Sequence, residues 1–283
     1  MSVRKVGWDD SRREFQEIPE INVENPEAAQ DRRRYPIYIV CSPRPRVGKT
    51  LIARLLIEYK TLQNVDVVAF DVSAAEASLA KYLPARTIAS DVANVRGQMA
   101  LFDRLLYRDG IGKVIDLGHD SYDEFFAVAR KIGFVDEADR QFIEPVVIFV
   151  ADGSKKSLGE YSSLCKWFSP IVPLYNDAAG VSDKCRALYN EVLKVPQPLR
   201  IRKLSPVLNA TIDRPMFSFC QFLSNQTGNA SELYIWMSAV FGEFRRLETV
   251  LRLDGIWRGL RRQLVDETQS HFESAPLRRS GIV

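Results

Sequence analysis

Three consecutive residues, Gly48, Lys49 and Thr50, have the types and the order of a phosphate-binding site. In loops of the form G-x-x-x-x-G-K-[ST], backbone N–H groups surround the phosphates, the lysine neutralises their oxygens and the hydroxyl holds Mg²⁺. Pro43 stands where the first glycine of that pattern belongs, so the chain matches only the second half of the motif. The residues therefore predict a nucleotide phosphate site with an altered loop.

The neighbouring segments predict the elements that such a loop needs. The apolar run from Tyr38 to Cys41 is typical of a buried strand. After the loop, apolar residues recur at helical spacing on one face: Leu51, Ile52, Leu55, Leu56 and Tyr59. Free N–H groups and the helix dipole favour anions at a helix N-terminus. The order of strand, loop and helix thus favours phosphate binding over a chance Gly-Lys-Thr.

Two carboxylates lie near the ends of later apolar runs. Asp71 belongs to the run from Val65 to Val72, and Asp116 to the run from Lys113 to Leu117. An acid at a strand end beside a phosphate loop can bind Mg²⁺ directly or through water. The alternative is that each acid caps the following helix. The Gly118 that follows favours the metal role for Asp116, whereas for Asp71 the two interpretations are balanced.

Short β-rich runs alternate with helical patterns from residue 35 onward, which predicts an α/β fold: a three-layer sandwich with a mostly parallel central sheet and helices on both faces. Ligands of such folds bind where the carboxyl ends of the strands meet. We therefore expect the phosphate loop, both carboxylates and Asn176 at one edge. The predicted strands are Tyr38 to Cys41, Val65 to Val72, Lys113 to Leu117, Pro145 to Ala151 and Ile171 to Tyr175.

Length and composition allow one large core. The chain has 283 residues, 46% of them hydrophobic, which suffices for a single α/β domain. We predict a polar, flexible N-terminal arm over residues 1–34, a P-loop domain with C-terminal helices over 35–264, and a flexible tail over 265–283. Near the end of the domain, the pattern favours two helices with a break near Asp254 and Gly255.

Charge and cysteine usage exclude several classes of protein. The net charge of +3 permits but does not require an anionic partner. With four cysteines in no Cys-x-x-Cys pair and two histidines, the sequence shows no zinc site. It also shows no signal peptide or membrane span. We expect a cytoplasmic protein, with peripheral attachment to the inner membrane face as an alternative.

These residues resemble the MinD/ParA family of P-loop ATPases, a branch of the SIMIBI class with a deviant Walker A loop. The likeness runs from about Tyr35 to Tyr189 and rests on the order of the motifs as well as their letters. When the chain is aligned on its Gly-Lys-Thr, Arg44 stands at the signature lysine of the family loop. Pro45 and Arg46 replace the two glycines of that loop.

The resemblance implies ATP and Mg²⁺ as cofactors and a homodimer formed around the nucleotide. It assigns phosphate neutralisation to Lys49, Mg²⁺ binding to Thr50 and Asp116, and adenine contact to Asn176. It also implies that Arg44 reaches the partner's nucleotide and that Asp71 senses the γ-phosphate. The nucleotide cradle implied by the family comprises Arg46, Val47, Gly48, Lys49, Thr50 and Leu51.

Departures from the family pattern bear on activity. Pro43 and Pro45 offer no N–H group, and a side chain at position 46 crowds the approach of backbone to phosphate. Arg44 and Arg46 can compensate, because guanidinium groups bind phosphate oxygens. Ser73 stands where the family has its water-orienting aspartate, so we expect slow hydrolysis or none.

Three functions remain open from the sequence. The first is a nucleotide-dependent dimer that acts as a positioning switch for a protein cargo, with an activator still to be identified. The second is an adaptor or scaffold that keeps the fold without ATP turnover. The third is an ATP-dependent small-molecule ligase of the dethiobiotin synthetase type, for which the sequence shows no carboxylate-recognition residues.

The C-terminal region is basic, with arginines scattered from Arg245 to Arg279. An amphipathic helix there would contact anionic lipid, as in the MinD branch, or nucleic-acid phosphates, as in ParA-like proteins. The simpler interpretation, which we favour, is that Trp257 and its apolar neighbours pack on the domain while the arginines face water.

Overall fold

The computed structural model describes residues 34–73, 78–192, 198–225 and 231–273. It gives no side-chain surroundings for Asn190, Val192, Asp254 or residues 256–273. The predicted arm therefore lies outside the described residues except for Arg34, as does the part of the predicted tail after Glu273.

A parallel sheet forms the centre of the domain and confirms the predicted α/β class. In the described ranges it has seven strands in the order β3-β2-β4-β1-β5-β6-β7, and every neighbouring pair is parallel. The strands are β1 (Tyr35–Cys41), β2 (Val67–Val72), β3 (Thr87–Ser90), β4 (Gly112–Leu117), β5 (Ile143–Ala151), β6 (Ile171–Asn176) and β7 (Leu199–Ile201).

Helices connect the strands and cover both faces of the sheet. The crossover helices are α1 (Lys49–Leu62), α2 (Val95–Leu106), α3 (Tyr122–Lys131), α4 (Phe134–Arg140), α5 (Lys155–Leu164) and α6 (Asp183–Val192). After β7 follow α7 (Pro206–Ile212), α8 (Phe219–Ser224) and α9 (Glu232–Glu273). Short 3₁₀ turns occur at Leu79–Lys81 and Asp177–Ala179.

Successive side chains of the central strands point alternately into two separate cores. On β1, Tyr38 and Val40 face the core that α1 and α9 complete. Ile37 and Ile39 face the opposite core, which the helices α2 to α6 complete. Because successive residues of a strand point to opposite faces, a sheet covered on both sides needs continuous apolar runs. This explains why the central strands could be recognised from sequence.

Two elements differ from the sequence predictions. The edge strands β3 and β7 were not predicted as strands; they are short and partly exposed, so they carry little apolar pattern. The predicted break near Asp254 and Gly255 was wrong, because α9 continues through both residues to Glu273. A glycine inside a helix costs only about 1 kcal/mol relative to alanine, so one glycine does not end a long helix.

The first half of α9 is part of the domain core. The Phe244 ring lies 5.7 Å from the Tyr59 ring of α1, and the Tyr59 hydroxyl donates to Glu248 at 3.0 Å. Glu248 also pairs with Lys60. Packing of α9 on the domain thus extends as far as Leu251, while Trp257, whose packing we expected, lies outside the described side chains. Among the described residues no helix combines the length and the apolar character needed to cross a membrane.

We predict that Phe244→Ala lowers the free energy of unfolding by about 3–5 kcal/mol, because it leaves a cavity between α9 and α1. Phe244 is 1% exposed, whereas Ile235 on the same helix is 60% exposed. Ile235→Ala is therefore the matched control, with an expected change below about 0.5 kcal/mol. Denaturant unfolding measures both. Equal small effects would show that α9 does not stabilise the domain.

Candidate functional site

The phosphate loop connects β1 to α1 at the carboxyl edge of the sheet, and Asn176 at the end of β6 fixes its shape. The Asn176 amide donates to the Val47 carbonyl at 2.9 Å. Gly48 has a left-handed backbone with φ of 98°, and a Cβ there would lie 2.5 Å from Asn176 Nδ2. Only glycine satisfies both constraints. The structure therefore gives Asn176 a bracing role, and its predicted contact with adenine stays a prediction.

Lys49 is buried beneath the loop. Its Nζ donates to the Arg44 carbonyl at 2.7 Å, which closes the loop over the ammonium group. Burial lowers the pKa of Lys49, and the nearby carboxylates oppose this, with Asp116 first among them. The predicted phosphate lysine is thus held within an electrostatic pairing with Asp116.

The predicted metal ligands Thr50 and Asp116 lie together. Asp116 on β4 is level with Val40 of β1 and with Asp71 of β2. The pKa of Asp116 is raised to about 7, chiefly by burial; the Thr50 hydrogen bond lowers it, the Asp71 charge raises it and the Lys49 charge lowers it. The Thr50 hydroxyl also lies 3.0 Å from Ser78 Oγ. A hydroxyl beside a carboxylate offers the hard oxygen donors that Mg²⁺ prefers.

Asp71 caps a turn, which is the alternative that the sequence left open. Its Oδ2 accepts from the Leu79 N–H at 2.7 Å. Burial raises the pKa of Asp71, while the backbone N–H groups of Leu79 and Ala80 lower it and the Asp120 charge raises it. Asp71 is therefore close to the candidate metal ligands but already bonded to backbone. Its role at the γ-phosphate stays a prediction.

Asp120 is a site residue that sequence reasoning missed. Ser73 Oγ donates to Asp120 Oδ2 at 3.4 Å, which links the end of β2 to the loop after β4. Gly118 lies between these segments, and a Cβ there would be 2.3 Å from Asp120 Oδ1 and 2.9 Å from the Val72 carbonyl. A carboxylate thus lies beside the serine that replaces the family's water-orienting aspartate. The only sequence signal was its position four residues after Asp116.

The substituted loop residues are tolerated in different ways. Arg46 adopts a left-handed backbone with φ of 60°, a conformation that disfavours residues with a Cβ. Arg44 is 53% exposed, and its Nε lies 3.8 Å from Asp152 Oδ2. An ion pair this exposed and this long contributes little. Both arginine side chains therefore remain accessible to a ligand at the loop, and the predicted contact of Arg44 across a dimer stays a prediction.

Two buried oxygen atoms at the loop lack hydrogen-bond partners within the described residues. They are Ser42 Oγ, at the start of the loop, and Asp152 Oδ2, which faces Arg44. Buried polar atoms are almost always hydrogen-bonded, so such atoms call for a missing water, ion or ligand. Their position at the loop is consistent with a site that is completed on binding.

A cavity of about 190 Å³ lies on the β6–β7 side of the loop. Its apolar walls come from α1, β7 and α9 and include Leu51, Ile201 and Trp236. Polar and charged residues surround the walls. The remaining lining residues are Arg46, Gly48, Asn176, Ala178, Ala179, Arg202, Lys203, Leu204 and Asn209. A cavity that combines apolar walls with polar and charged groups beside a phosphate loop can hold a planar base.

Among the described residues, no three or more His, Cys, Asp or Glu side chains are grouped so as to hold a metal ion by themselves. Mg²⁺ is commonly held by one or two protein oxygens together with substrate phosphates and water. The pair Thr50 and Asp116 matches that pattern. His119, in the segment that follows β4, has an exposed side chain.

Comparison with known proteins finds distant likeness among solved structures. No family model matches the chain, and no curated protein matches it. Among solved structures it is similar to a nucleotide-binding protein from Archaeoglobus fulgidus, determined in complex with ADP and with cobalt present. The identity is 13%, the match covers 66% of this chain and 90% of that one, and the TM-score is 0.43. At these values the likeness says nothing about the site of this chain.

We predict that Asp116→Asn removes a pH dependence of stability. With a pKa of about 7 against an ordinary 3.8, the native state binds the proton more tightly than the unfolded state does. Stability is therefore highest below the ordinary pKa and falls as the pH rises through 7. This carboxyl alone should lower the free energy of unfolding by about 2–3 kcal/mol between pH 5 and pH 8.

Denaturant unfolding without nucleotide or Mg²⁺ measures this effect across the pH range. Asp116→Asn should flatten the profile and exceed the wild type in stability at pH 8. Asp123→Asn, which changes an exposed carboxyl on α3, is the control and should keep the wild-type profile. An unchanged slope in Asp116→Asn would contradict the raised pKa.

We predict that Arg46→Gly raises the free energy of unfolding by about 0.5–1 kcal/mol. Glycine adopts the left-handed backbone of residue 46 without strain, and this gain exceeds the entropy that a glycine adds to the unfolded chain. Arg44→Gly removes the same side chain two residues away, where φ is not positive. It should instead destabilise by about 0.5–1 kcal/mol. Thermal and denaturant unfolding compare the two variants, and equal effects would show that residue 46 stores no backbone strain.

Proposed function

We propose that this protein binds ATP with Mg²⁺ at the carboxyl edge of the sheet. The observation that carries the proposal is the cluster of Lys49, Thr50 and Asp116 at the N-terminus of α1. It combines a cation for phosphate oxygens, a hydroxyl and carboxylate for Mg²⁺, and the free N–H groups of a helix start. Ser42 Oγ, which is buried at the start of the loop without a hydrogen-bond partner in the described residues, supports a site that is completed by a ligand.

The arrangement gives the nucleotide a direction along the edge. The candidate metal ligands Thr50 and Asp116 lie toward β4 and β2, so the terminal phosphates belong on that side. The apolar cavity lies on the other side of the loop, toward β6 and β7, and it suits the base. Asn176 and Leu51 lie where the loop meets the cavity. ATP laid across the loop in this direction would satisfy both halves of the site.

Mg²⁺ would be held by Thr50 and Asp116 and would neutralise phosphate charge when bound. The remaining roles belong to the protein. Lys49 exchanges its bond to the Arg44 carbonyl for phosphate oxygens, and Arg44 and Arg46 lie near enough at the loop to add charge-assisted hydrogen bonds. Asp116 must be ionised to bind the metal, which Lys49 favours and burial opposes.

Hydrolysis in this proposal is slow. Phosphoryl transfer to water requires a side chain that orients the attacking water. Ser73 has no charge for this task, and the nearest carboxylate in the segment after β4 is Asp120, whose Oδ2 already accepts from Ser73. The protein would therefore stay in its nucleotide-bound state for long periods, which suits a switch better than a fast enzyme.

The switch itself is a homodimer that forms around ATP and positions a protein cargo. Its support is the resemblance of the motifs to the MinD/ParA family and the exposed position of Arg44 on the loop. The alternative is an adaptor with the same fold and no nucleotide, which the prolines at 43 and 45 favour. A membrane or nucleic-acid contact through the basic C-terminal helix is compatible with either case, although packing of that helix on the domain is the simpler interpretation.

We predict that calorimetry with Mg²⁺ detects saturable ATP and ADP binding, and that Lys49→Ala weakens it by at least about tenfold, as expected for losing charge-assisted bonds to phosphate. Lys131→Ala, which removes an exposed lysine at the end of α3, is the matched control and should bind as the wild type does. Thermal unfolding confirms that both variants are folded.

The mass in solution tests the second part of the proposal. The wild type should dimerise with ATP and Mg²⁺ but not with ADP, and Lys49→Ala should not respond. Binding without a change of mass would retain the ATP site and reject the switch. An absence of binding at millimolar ATP would reject both and leave the adaptor.

A further inference from the structure

The cavity beside the phosphate loop is more cationic than a purine base requires. Arg46, Arg202 and Lys203 line it, and no carboxylate does. A neutral base needs apolar walls and a few hydrogen-bonding groups. Three cations at one small cavity repel one another unless an anion joins them. The charge of the lining therefore points to an anionic group on the ligand itself.

Two cations near the cavity are neutralised by a carboxylate, unlike the three that line it. Arg200, on the same strand end, donates to both oxygens of Asp177 at 3.1 Å, and Arg186 pairs with the same carboxylate. In the described ranges, by contrast, Arg46, Arg202 and Lys203 have no ion pair. The three cations that line the cavity therefore carry positive charge that no described carboxylate neutralises.

The segment that carries two of these cations is fixed in place. Ile201 and Leu204 on either side of the pair are buried in the core. The Trp236 indole donates to the Arg202 carbonyl at 2.7 Å, which ties the segment to α9. Only the side chains of Arg202 and Lys203 remain mobile, so an anion would lose little affinity to the ordering of backbone.

The cations also lie on a different side from the candidate polyphosphate site. Lys49 and Thr50 serve the loop and the metal ligands toward β4, whereas Arg202 and Lys203 follow β7 at the far end of the edge. A nucleotide spanning the two would present its 5′ phosphates to the loop and its base to the cavity. Its ribose hydroxyls are the remaining positions that carry phosphate in natural nucleotides.

We infer that the cavity selects a nucleotide with a phosphate on its ribose, at the 2′ or 3′ position, in addition to its 5′ phosphates. Arg202 and Lys203 bind this extra phosphate, and Arg46 bridges it to the loop. The inference rests on the proposed function, since it needs the base in the cavity. It extends the ligand class beyond ATP and ADP, which would reach the loop and the cavity but offer no phosphate to Arg202 and Lys203.

Calorimetry with a matched set of nucleotides tests this inference. AMP is compared with adenosine 2′,5′-bisphosphate and adenosine 3′,5′-bisphosphate, and ADP is titrated in the same series. At least one bisphosphate should bind about tenfold more tightly than AMP, as expected for a phosphate held by two cations. The isomer that binds more tightly identifies the ribose position, and raising the salt concentration should reduce the preference.

The variant R202A/K203A should abolish the preference for a bisphosphate over AMP. Its matched control is R130A/K131A, which removes two exposed cations from α3. This helix packs on the other face of the sheet, so the control should keep the preference. Thermal unfolding confirms that both variants are folded. A preference that survives in R202A/K203A would overturn the inference.

The outcomes separate this inference from the proposed function. If ADP binds in a Lys49-dependent manner but the bisphosphates bind no better than AMP, the ATP site stands and the inference is overturned. If a bisphosphate binds through Arg202 and Lys203 while ADP does not bind, the cavity stands and the ATP proposal fails. If only a single-stranded oligonucleotide binds through these cations, they serve nucleic acid and the inference is overturned.

Discussion

The burial of two charged groups, Lys49 and Asp116, at one edge of the sheet is the constraint on which the site depends. Both groups are buried at the carboxyl edge of the sheet, where burial disfavours the charged form of each. The charge of each group favours the charged form of the other and so offsets part of the cost of burial. The neighbouring Asp71 charge acts in the other direction and raises the pKa of Asp116. A divalent cation with a polyphosphate would add charge of both signs at this point. The site is therefore built so that a ligand improves its electrostatics.

The phosphate loop shows which parts of the motif are indispensable for this geometry. Gly48 is irreplaceable because its backbone is left-handed and its α-carbon faces the Asn176 amide. Residue 46 has the same backbone handedness but an open surrounding, so an arginine is tolerated there with some strain. The prolines remove N–H donors from the loop.

Charge is distributed unevenly along the carboxyl edge. Carboxylates gather toward β2 and β4, where Asp71, Asp116 and Asp120 lie, and free cations gather toward β7. The loop and Lys49 lie between these ends. A charged ligand at this edge would respond to this field as well as to the shape of the site. This polarity is a property of the whole edge, because each group comes from a different strand end.

The sequence by itself determined the central strands, the first helix and the residues Gly48, Lys49, Thr50 and Asp116 as one site. It did so because doubly covered parallel strands are continuously apolar and because their carboxyl ends must meet at one edge. The short edge strands and the unbroken α9 could not be predicted from the sequence. Exposed residues carry little apolar pattern, and a single glycine is tolerated in a helix.

Only the tertiary structure decided what each polar group does at the edge. It showed that Asn176 braces the loop, that Asp71 caps a turn and that Asp120 reaches Ser73. It also brought Arg46, Arg202 and Lys203 to one cavity, although they are distant in sequence. The physical reason is that hydrogen-bond partners and unneutralised charges depend on distances between strand ends, and local sequence patterns do not contain those distances.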